Sequence, residues 1–398
     1  MTSTTNVLAG IRVADFSRVL AGPYASMMLA DFGADVIKIE SPVGDETRAW
    51  LPPLGADGQS AYFGSVNRNK RSVVCDLSTD DGLAHARELA LTADVILENF
   101  RPGVMQKFGL DFESVRKLNP GAVYCSITGF GSSQAGAELA GYDLLVQAMS
   151  GLMSVTGQPD GEPTKVGVAL VDVLCGQNAV AGILLALRAR DAHPQRLGQR
   201  VEVDLMSTAL SSLVNQAGNA LATGVAPTRL GNAHPSISPY ELYATADKPI
   251  IIAVGSDKHF RRMCGVLGLT DLADDERFAT NPARVAHRDD LKITIEYVLS
   301  TATAEEWVSM LSAAGLPAGP VNSVPDAISF AESIGLDPTV SILGRDSENE
   351  VDTESVTTSI RNPIRLSESP ARYELSPPRL GEHPDTTWLT ARTAQERS

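Results

Sequence analysis

IRVADF (11–16) opens an alternation that decides the fold. It is followed by the helical run YASMMLADFG (24–33), the β-rich VIKIE (36–40) and SVVCDL (72–77), the helical LAHARELALTA (83–93), and then VILENF (95–100) and VYCSITGFG (123–131). Short β-branched runs separated by helical stretches read as strands of a parallel sheet joined by crossover helices, an α/β class. The runs end in Asp, Glu, Asn or Gly, and open parallel sheets bind ligands outside the carboxyl ends of their strands. The loops after these runs are therefore where binding residues are expected.

Farther along, residues 143–155 and 173–190 read as helices, the second so apolar that burial on most sides is expected. VEVDLMSTALSSLVNQAGNAL (201–221) gives a strand running into a helix. Residues 222–239, rich in Gly, Pro, Thr and Ser, read as a linker or active-site loop. YELYATADKPIIIAVGSD (240–257) suggests a hairpin, and helical patterns dominate from 257 to 314, a small α+β unit that ends near GLPAGPVNS (315–323). Residues 331–359 are polar and weakly patterned. The Pro-rich tail NPIRLSESPARYELSPPRLGEHPDTT (362–387) is expected to run extended and to drape over a neighbour.

A chain of 398 residues exceeds the size at which single cores stop growing, so two domains, or one domain with a large insertion, are expected. With 33 Lys and Arg against 48 Asp and Glu, the net charge of −15 argues against nucleic acid or an anionic membrane as partner. Cys75, Cys125, Cys175 and Cys264 are widely spaced and lie in apolar strings, which suits buried reduced thiols in a cytoplasmic protein. The start MTSTTNVLAG lacks the pattern of a signal peptide, and the apolar stretch 173–190 contains Gly176, Gln177 and Asn178, so a buried helix is read there and no membrane span. The six histidines form no HxxxH or HExxH spacing, so no metal is expected; His234, in GNAHPS, is kept as either functional or structural.

GFGSSQAG (129–136) follows a strand, but its spacing is not that of a dinucleotide loop, and no P-loop is present. Arg68, Lys70 and Arg71 in VNRNKRS (66–72), with Arg101 and Lys107, form a local basic excess that reads either as a partner for a multiply phosphorylated small ligand or as a solvated loop. Asp172 stands between the apolar GVALV and a buried helix. It reads as that helix's N-cap, and its position at a helix N-terminus is expected to keep it ionised and to stabilise anionic charge beside it.

RVLAGPYA (18–25), GADVIKIE (33–40), VNRNKRS (66–72), ADVILENFRPG (93–103), SITGFG (126–131), GYDLLVQAMSGLM (141–153), GVALVDV (167–173), GLPAGPVNS (315–323) and LGEHPDTT (380–387), taken in order, resemble the class III CoA-transferases, the family of formyl-CoA transferase. The resemblance implies a large Rossmann-like domain over about 1–205, completed by 340–398, then a linker at 206–224, a small domain at 225–325, and a return segment at 326–398. It also implies an interlocked homodimer in which two subunits thread through one another. By the same resemblance Asp172 is the nucleophile that carries the acyl group as an aspartyl anhydride and then CoA as a thioester. The CoA contacts it implies are Leu20, Ala21, Cys75, Ser78, Asn99, Phe100, Arg101, Lys107, Thr128, Gly129, Phe130 and Gly131. A loop around Gly231 and Asn232 is the implied cover against water.

The donor implied is succinyl-CoA and the acceptor a short carboxylic or dicarboxylic acid, with Arg18, Asn232 and His234 as candidates for a distal carboxylate. Ser41 stands where formyl-CoA transferase has a basic residue, and Leu20 where it has a glutamine. The rival reading is an α-methylacyl-CoA racemase of the same fold. Its catalytic histidine would fall at Tyr142, and tyrosine, with an ordinary pKa near 10, is a poor base at neutral pH.

Overall fold

The computed structural model describes residues 6–55, 57–345 and 351–389. The chain divides into two compact units, one drawn from the described residues of Met1–Gly151, Val166–Ala217 and Asp337–Ser398, the other from Leu152–Lys165 and Gly218–Leu336.

The first unit is built on the expected parallel sheet. Its strands are β1 (Arg12–Asp15), β2 (Asp35–Glu40), β3 (Lys70–Val74), β4 (Val95–Glu98), β5 (Val123–Thr128) and β6 (Arg200–Asp204). They lie in the order β3-β2-β1-β4-β5-β6 and every pairing is parallel. All residues of β2 and β4 are buried, as a sheet covered on both faces requires. The chain builds outward from β1 to β3 and then returns to the other side of β1, so the loops after β1 and β4 diverge and open a crevice at the carboxyl ends of the strands.

The helix Leu170–Ala192 packs beneath this crevice. A Cβ added at Gly176 would lie 2.6 Å from the carbonyl oxygen of Ala21, and one at Gly182 would lie 2.6 Å from a methyl of Val201. The two glycines let the helix sit directly on the helix Ala21–Asp31 and on β6. Burial on most sides was expected, yet only 44% of its apolar 18-residue stretch is buried, and Ala181, Leu184 and Leu185 face outward. By length and composition the helix could cross a membrane, with a mean hydropathy of 1.8. Its seating on β6 and on a neighbouring helix is that of a core helix.

The cations of VNRNKRS are not available to a ligand. Arg68 pairs with Asp31 at 2.7 Å and donates to Ile360 O at 3.0 Å, Lys70 donates to Pro23 O at 2.9 Å and Asn67 Oδ1 at 2.8 Å, and Arg71 pairs with Asp35 at 2.7 Å. All three are buried. Arg71 and the neighbouring Asn69 hold the tail, which lies along its own unit: Arg71 donates to the carbonyls of Asp385 and Thr387, Asn69 N–H to Leu375 O, and Leu389 N–H to Asp35. The weakly patterned region before the tail takes in the end of a helix, Val324–Ser333, and an antiparallel hairpin of β10 (Thr339–Arg345) and β11 (Val351–Ile360). Its strands are rich in Thr and Ser and carry no clear apolar alternation, so the sequence left them unread.

The second unit contains the expected hairpin. β7 (Tyr240–Tyr243) and β8 (Ile250–Ala253) pair antiparallel, and β9 (Ala318–Pro320) joins the far side of β8. Helices Asp257–Leu267, Arg288–Leu299 and Ala304–Ala313 cover the sheet, burying Phe260, Met263, Ile295 and Trp307 with Ile250 and Ile252. Ser256 caps the first of these helices, and Thr303 with Glu306 forms a capping box on the third.

Candidate active site

The crevice after β1 rests on a buried ionic network. Asp15 accepts hydrogen bonds from the hydroxyls of Ser17 and Ser26, and Lys38 donates to Ser17 O and to Asp45 Oδ2, both at 2.9 Å. The Lys38–Asp45 pair is completely shielded from solvent. Burial works to raise the Asp45 carboxyl, but the Lys38 charge and the Thr47 N–H outweigh it and hold the pKa at about 2. Removing one member of such a pair leaves an uncompensated buried charge, at a cost of about 3–5 kcal/mol.

Asp45 also receives the N–H of Val19, whose φ is +69°. A β-branched residue enters the left-handed region only where its surroundings force it there. The second constraint comes from Asn99, at the end of β4: its Oδ1 accepts Arg18 N–H at 2.8 Å and its Nδ2 donates to Arg18 O at 2.7 Å. Held from both sides of the crevice, this turn sets the Arg18 guanidinium over the Phe100 ring at 4.9 Å. It also delivers Leu20 and Ala21, both buried, to the start of the helix Ala21–Asp31.

Two cavities open at the strand ends. One of about 200 Å³ is lined by Arg18, Lys38, Ser41, Asp45, Cys75 and Phe100 among others, and the second, of about 210 Å³, by Glu98, Phe100, Arg101, Thr128 and Arg200 among others. Phe100 borders both. Burial raises the Glu98 carboxyl above its ordinary range, despite hydrogen bonds from Ser126 and the Phe100 N–H. The geometry thus brings Arg18, Cys75, Asn99, Phe100, Arg101 and Thr128 around one crevice.

Asp172 lies in the first turn of the helix Leu170–Ala192, one turn before Gly176. It is not the cap that the sequence suggested. Ala169 occupies the N-cap position, and the free N–H groups of Val171 and Asp172 are taken by Asp143 Oδ1 at 2.9 and 3.3 Å. Asp143 begins the helix Asp143–Met149, and Gln147, one turn on and fully buried, donates to Asp143 Oδ2 at 2.6 Å. With the capping work done by a neighbour, the half-buried Asp172 carboxylate accepts no hydrogen bond among the described residues. The helix end was expected to favour its ionised form. Instead burial, and then the like charge of Asp143, push its pKa up from 3.8 to about 7.

Tyr62 lies within electrostatic range of these carboxylates. Its ring meets Trp50 edge-on at 4.9 Å, and burial together with the charges of Asp172, Asp143 and Asp45 raises its hydroxyl to about 12, so it stays a neutral donor. Sequence reading missed Asp143, Gln147 and Tyr62. The Asp–Gln pair at i, i+4 in GYDLLVQ was the available signal, since that spacing puts both side chains on one helix face.

The remaining candidates are placed as follows. Ser78 is exposed and bonds to Asp76, while Lys107 is exposed and lines neither cavity. Cys75 is buried 3.7 Å from His85, and burial raises its thiol to about 11. Gly129 packs against Gly141, where an added Cβ would come 2.3 Å from Gly141 Cα, so this glycine lets the end of β5 cross the GYD loop. Phe130 follows it, and Gly131, at φ +80°, donates its N–H to the Thr128 hydroxyl at 3.1 Å. Tyr142 is 65% exposed on the N-cap of the Asp143–Met149 helix.

Gly231, Asn232 and His234 belong to the second unit. Gly231, at φ +60°, donates to Gly157 O at 3.0 Å, Asn232 is exposed, and His234 packs edge-on to Tyr240 at 5.3 Å with Nδ1 accepting the Ser236 N–H. Among the described residues no cluster of His, Cys, Asp and Glu has metal-site geometry.

Comparison with known proteins adds a family to this geometry. A family model described as CoA-transferase family III matches residues 8–384. The chain is 47% identical over 388 residues to a succinate–glutarate CoA-transferase of Agrobacterium fabrum, covering 94% of this chain and 93% of that protein. It is 36% identical over 379 residues to a succinyl-CoA:glutarate CoA-transferase of Mus musculus, covering 94% and 84%. Among solved structures, a CAIB/BAIF family protein of Brucella suis superposes with a TM-score of 0.83 at 40% identity, covering 96% of this chain and 98% of that one.

Proposed function

We infer that this enzyme, which belongs to CoA-transferase family III, moves CoA from succinyl-CoA to glutarate or a related short dicarboxylate, with Asp172 as the acyl carrier. The observation that carries this reading is the state of Asp172: a carboxylate at a helix end whose capping is done by another residue, leaving its oxygens unengaged and more basic than usual. A nucleophile with a raised pKa is stronger once ionised, and near pH 7 a large fraction is ionised.

Asp172 attacks the succinyl thioester carbonyl, the C–S bond breaks, and CoA thiolate leaves behind a mixed anhydride. The thiolate attacks the aspartyl carbonyl, releasing succinate and forming an enzyme thioester. The acceptor carboxylate attacks that carbonyl, CoA thiolate leaves again, and a second anhydride forms. Attack of the thiolate on the acceptor acyl carbonyl then yields the new acyl-CoA and frees Asp172. No net proton is consumed. Tyr62, a neutral phenol within electrostatic range of Asp172, is the candidate donor to the oxyanion of each tetrahedral intermediate.

CoA is held along the crevice after β1 and β4. Phe100 and Arg18 offer a stacking face, and Arg101 and the helix start at Leu20 and Ala21 offer positive potential. Asn99 keeps the Arg18 turn in place. Cys75 and Thr128 line the walls, the GFG turn at Gly129, Phe130 and Gly131 follows directly after Thr128, and Ser78 and Lys107 are peripheral contributors. For the distal carboxylate of the acid, Arg18 is the candidate partner within the first unit. The racemase alternative needs a base at Tyr142, and an exposed tyrosine does not supply one.

The apolar face left open on Leu170–Ala192, with Leu185 and nearby Val168 and Val214 at 60% exposure or more, supports a second copy of the chain as its cover, in an interlocked homodimer. Four free, buried cysteines suit a cytoplasmic enzyme. The acidic chain supports neither nucleic acid nor an anionic membrane as partner.

The experiment is to incubate the enzyme with succinyl-CoA and a panel of acids, identify the CoA products by mass spectrometry, and trap turnover with hydroxylamine or borohydride. Glutaryl-CoA and a modified Asp172 peptide are expected. Exchange of an α-proton in a branched acyl-CoA without CoA transfer would overturn the reading.

A further inference from the structure

Gln147 is a fully buried amide whose contacts all lead to the segment that carries the nucleophile. Its Nε2 donates to Asp143 Oδ2 at 2.6 Å and lies 3.4 Å from Val168 O, while its Oε1 accepts the Val166 N–H at 2.9 Å. The other oxygen of Asp143 takes the N–H groups of Val171 and Asp172. One amide and one carboxylate, a single turn apart on a short helix, therefore grip both ends of residues 166–172. The orientation of the amide is fixed by charge, because the reverse would set its oxygen against a carboxylate.

We propose that Asp143 and Gln147 act together as positioning residues for the reaction carried by Asp172, with Gln147 fixing the rotation of the Asp143 carboxylate and Asp143 fixing the first turn of the nucleophile's helix. The proposal rests on the reading of Asp172 as the acyl carrier. Backbone N–H groups held at 2.9 and 3.3 Å by one oxygen fix the direction in which the Asp172 side chain leaves the helix. Displacement of a reacting atom by about 1 Å costs on the order of a hundredfold in rate. The charged or titratable groups that interact electrostatically with Asp172 are Asp143 from its helix, Tyr62 from the helix Ala61–Val66, and Cys175 on its own helix. Of these, Asp143 is the one that both touches the backbone of Asp172 and repels its charge.

Two variants of the full chain, Gln147→Leu and Asp143→Asn, test this with succinyl-CoA and glutarate. Gln147→Leu should lower kcat at least about tenfold while KM for succinyl-CoA changes less than about threefold. Asp143→Asn keeps the shape and an acceptor oxygen but removes the like charge, so the acid limb of its pH–kcat/KM profile should move down by about one pH unit. A merely structural role lowers Tm and moves neither the limb nor the kcat of the folded fraction, and that outcome overturns the proposal. Should Gln147→Leu fail to fold, the limb of Asp143→Asn decides alone. Borohydride trapping of the wild type separates the two readings. Loading at a residue other than Asp172 sinks the acyl-carrier reading, whereas loading at Asp172 at unchanged rates in both variants sinks only the positioning one.

Discussion

Replacing Asp172 with Asn should abolish turnover and, at the same time, make the protein more stable at alkaline pH. The carboxyl titrates at 3.8 in an ordinary setting and at about 7 in the folded chain. Because the folded value is the higher one, the unfolded chain releases this proton first as pH rises. The folded state is therefore progressively penalised between about pH 4 and pH 7, and the full penalty stands above pH 7. At about 1.4 kcal/mol per pH unit the difference of roughly three units corresponds to about 4 kcal/mol for a wholly shielded group. Asp172 is only half-buried, and solvent screening reduces this to about 1–2 kcal/mol. Asn does not titrate and nearly matches Asp in shape. For a unit of this size the variant should melt roughly 2–6 °C above wild type at pH 8 and within about 1 °C of it at pH 4. Scanning calorimetry of the ligand-free proteins at the two pH values reads this directly. An Asn variant that gains equally at both pH values, or loses stability at pH 8, would refute the argument that burial and Asp143 raise this carboxyl.

The wild-type pH–rate profile should show the same group. kcat/KM for succinyl-CoA should fall about tenfold per pH unit below about pH 7, as a free-enzyme carboxylate that must be ionised requires; a flat profile down to pH 5 would remove Asp172 from the ionising step. Arg68→Ala should destabilise the first unit by about 3–5 kcal/mol, because it strands the buried Asp31 carboxylate and releases Ile360 O. Denaturant titration measures this, and a loss below about 1 kcal/mol would restore the reading of Arg68 as a surface cation.

On the proposal that Asp172 carries the acyl group, stability at that position is given up for reactivity, and the surrounding structure shows where the compensation lies. The Lys38–Asp45 pair and the Asn99 clamp hold the Val19 turn in a strained conformation, and the glycine at 176 lets two helices touch. Such rigidity is what an anhydride pathway needs, since a loose site admits water.

The strand runs, their parallel arrangement, the hairpin of the second unit and the place of Asp172 were legible in the sequence, because each depends on a local pattern: β-rich runs of fixed length, turn residues, and an acid at the mouth of an apolar helix. The fate of the VNRNKRS cations was not legible. Arg68, Lys70 and Arg71 find their partners at Asp31, Pro23 and Asp35, more than thirty residues away, and a run of positive charge looks the same in sequence whether its counter-ions are phosphates or buried aspartates. The cap of the central helix was misassigned for the same reason. Asp143 is 28 residues before the Val171 N–H it accepts, and helix rules read only the few residues around each end. Amino-acid order alone therefore determined the parallel-sheet elements and the second unit's hairpin, and placed an acid at the start of the apolar helix. Tertiary structure decided whether that carboxylate would be spent on its own helix or left free to react, because hydrogen bonding and desolvation are set by neighbours that only folding brings together.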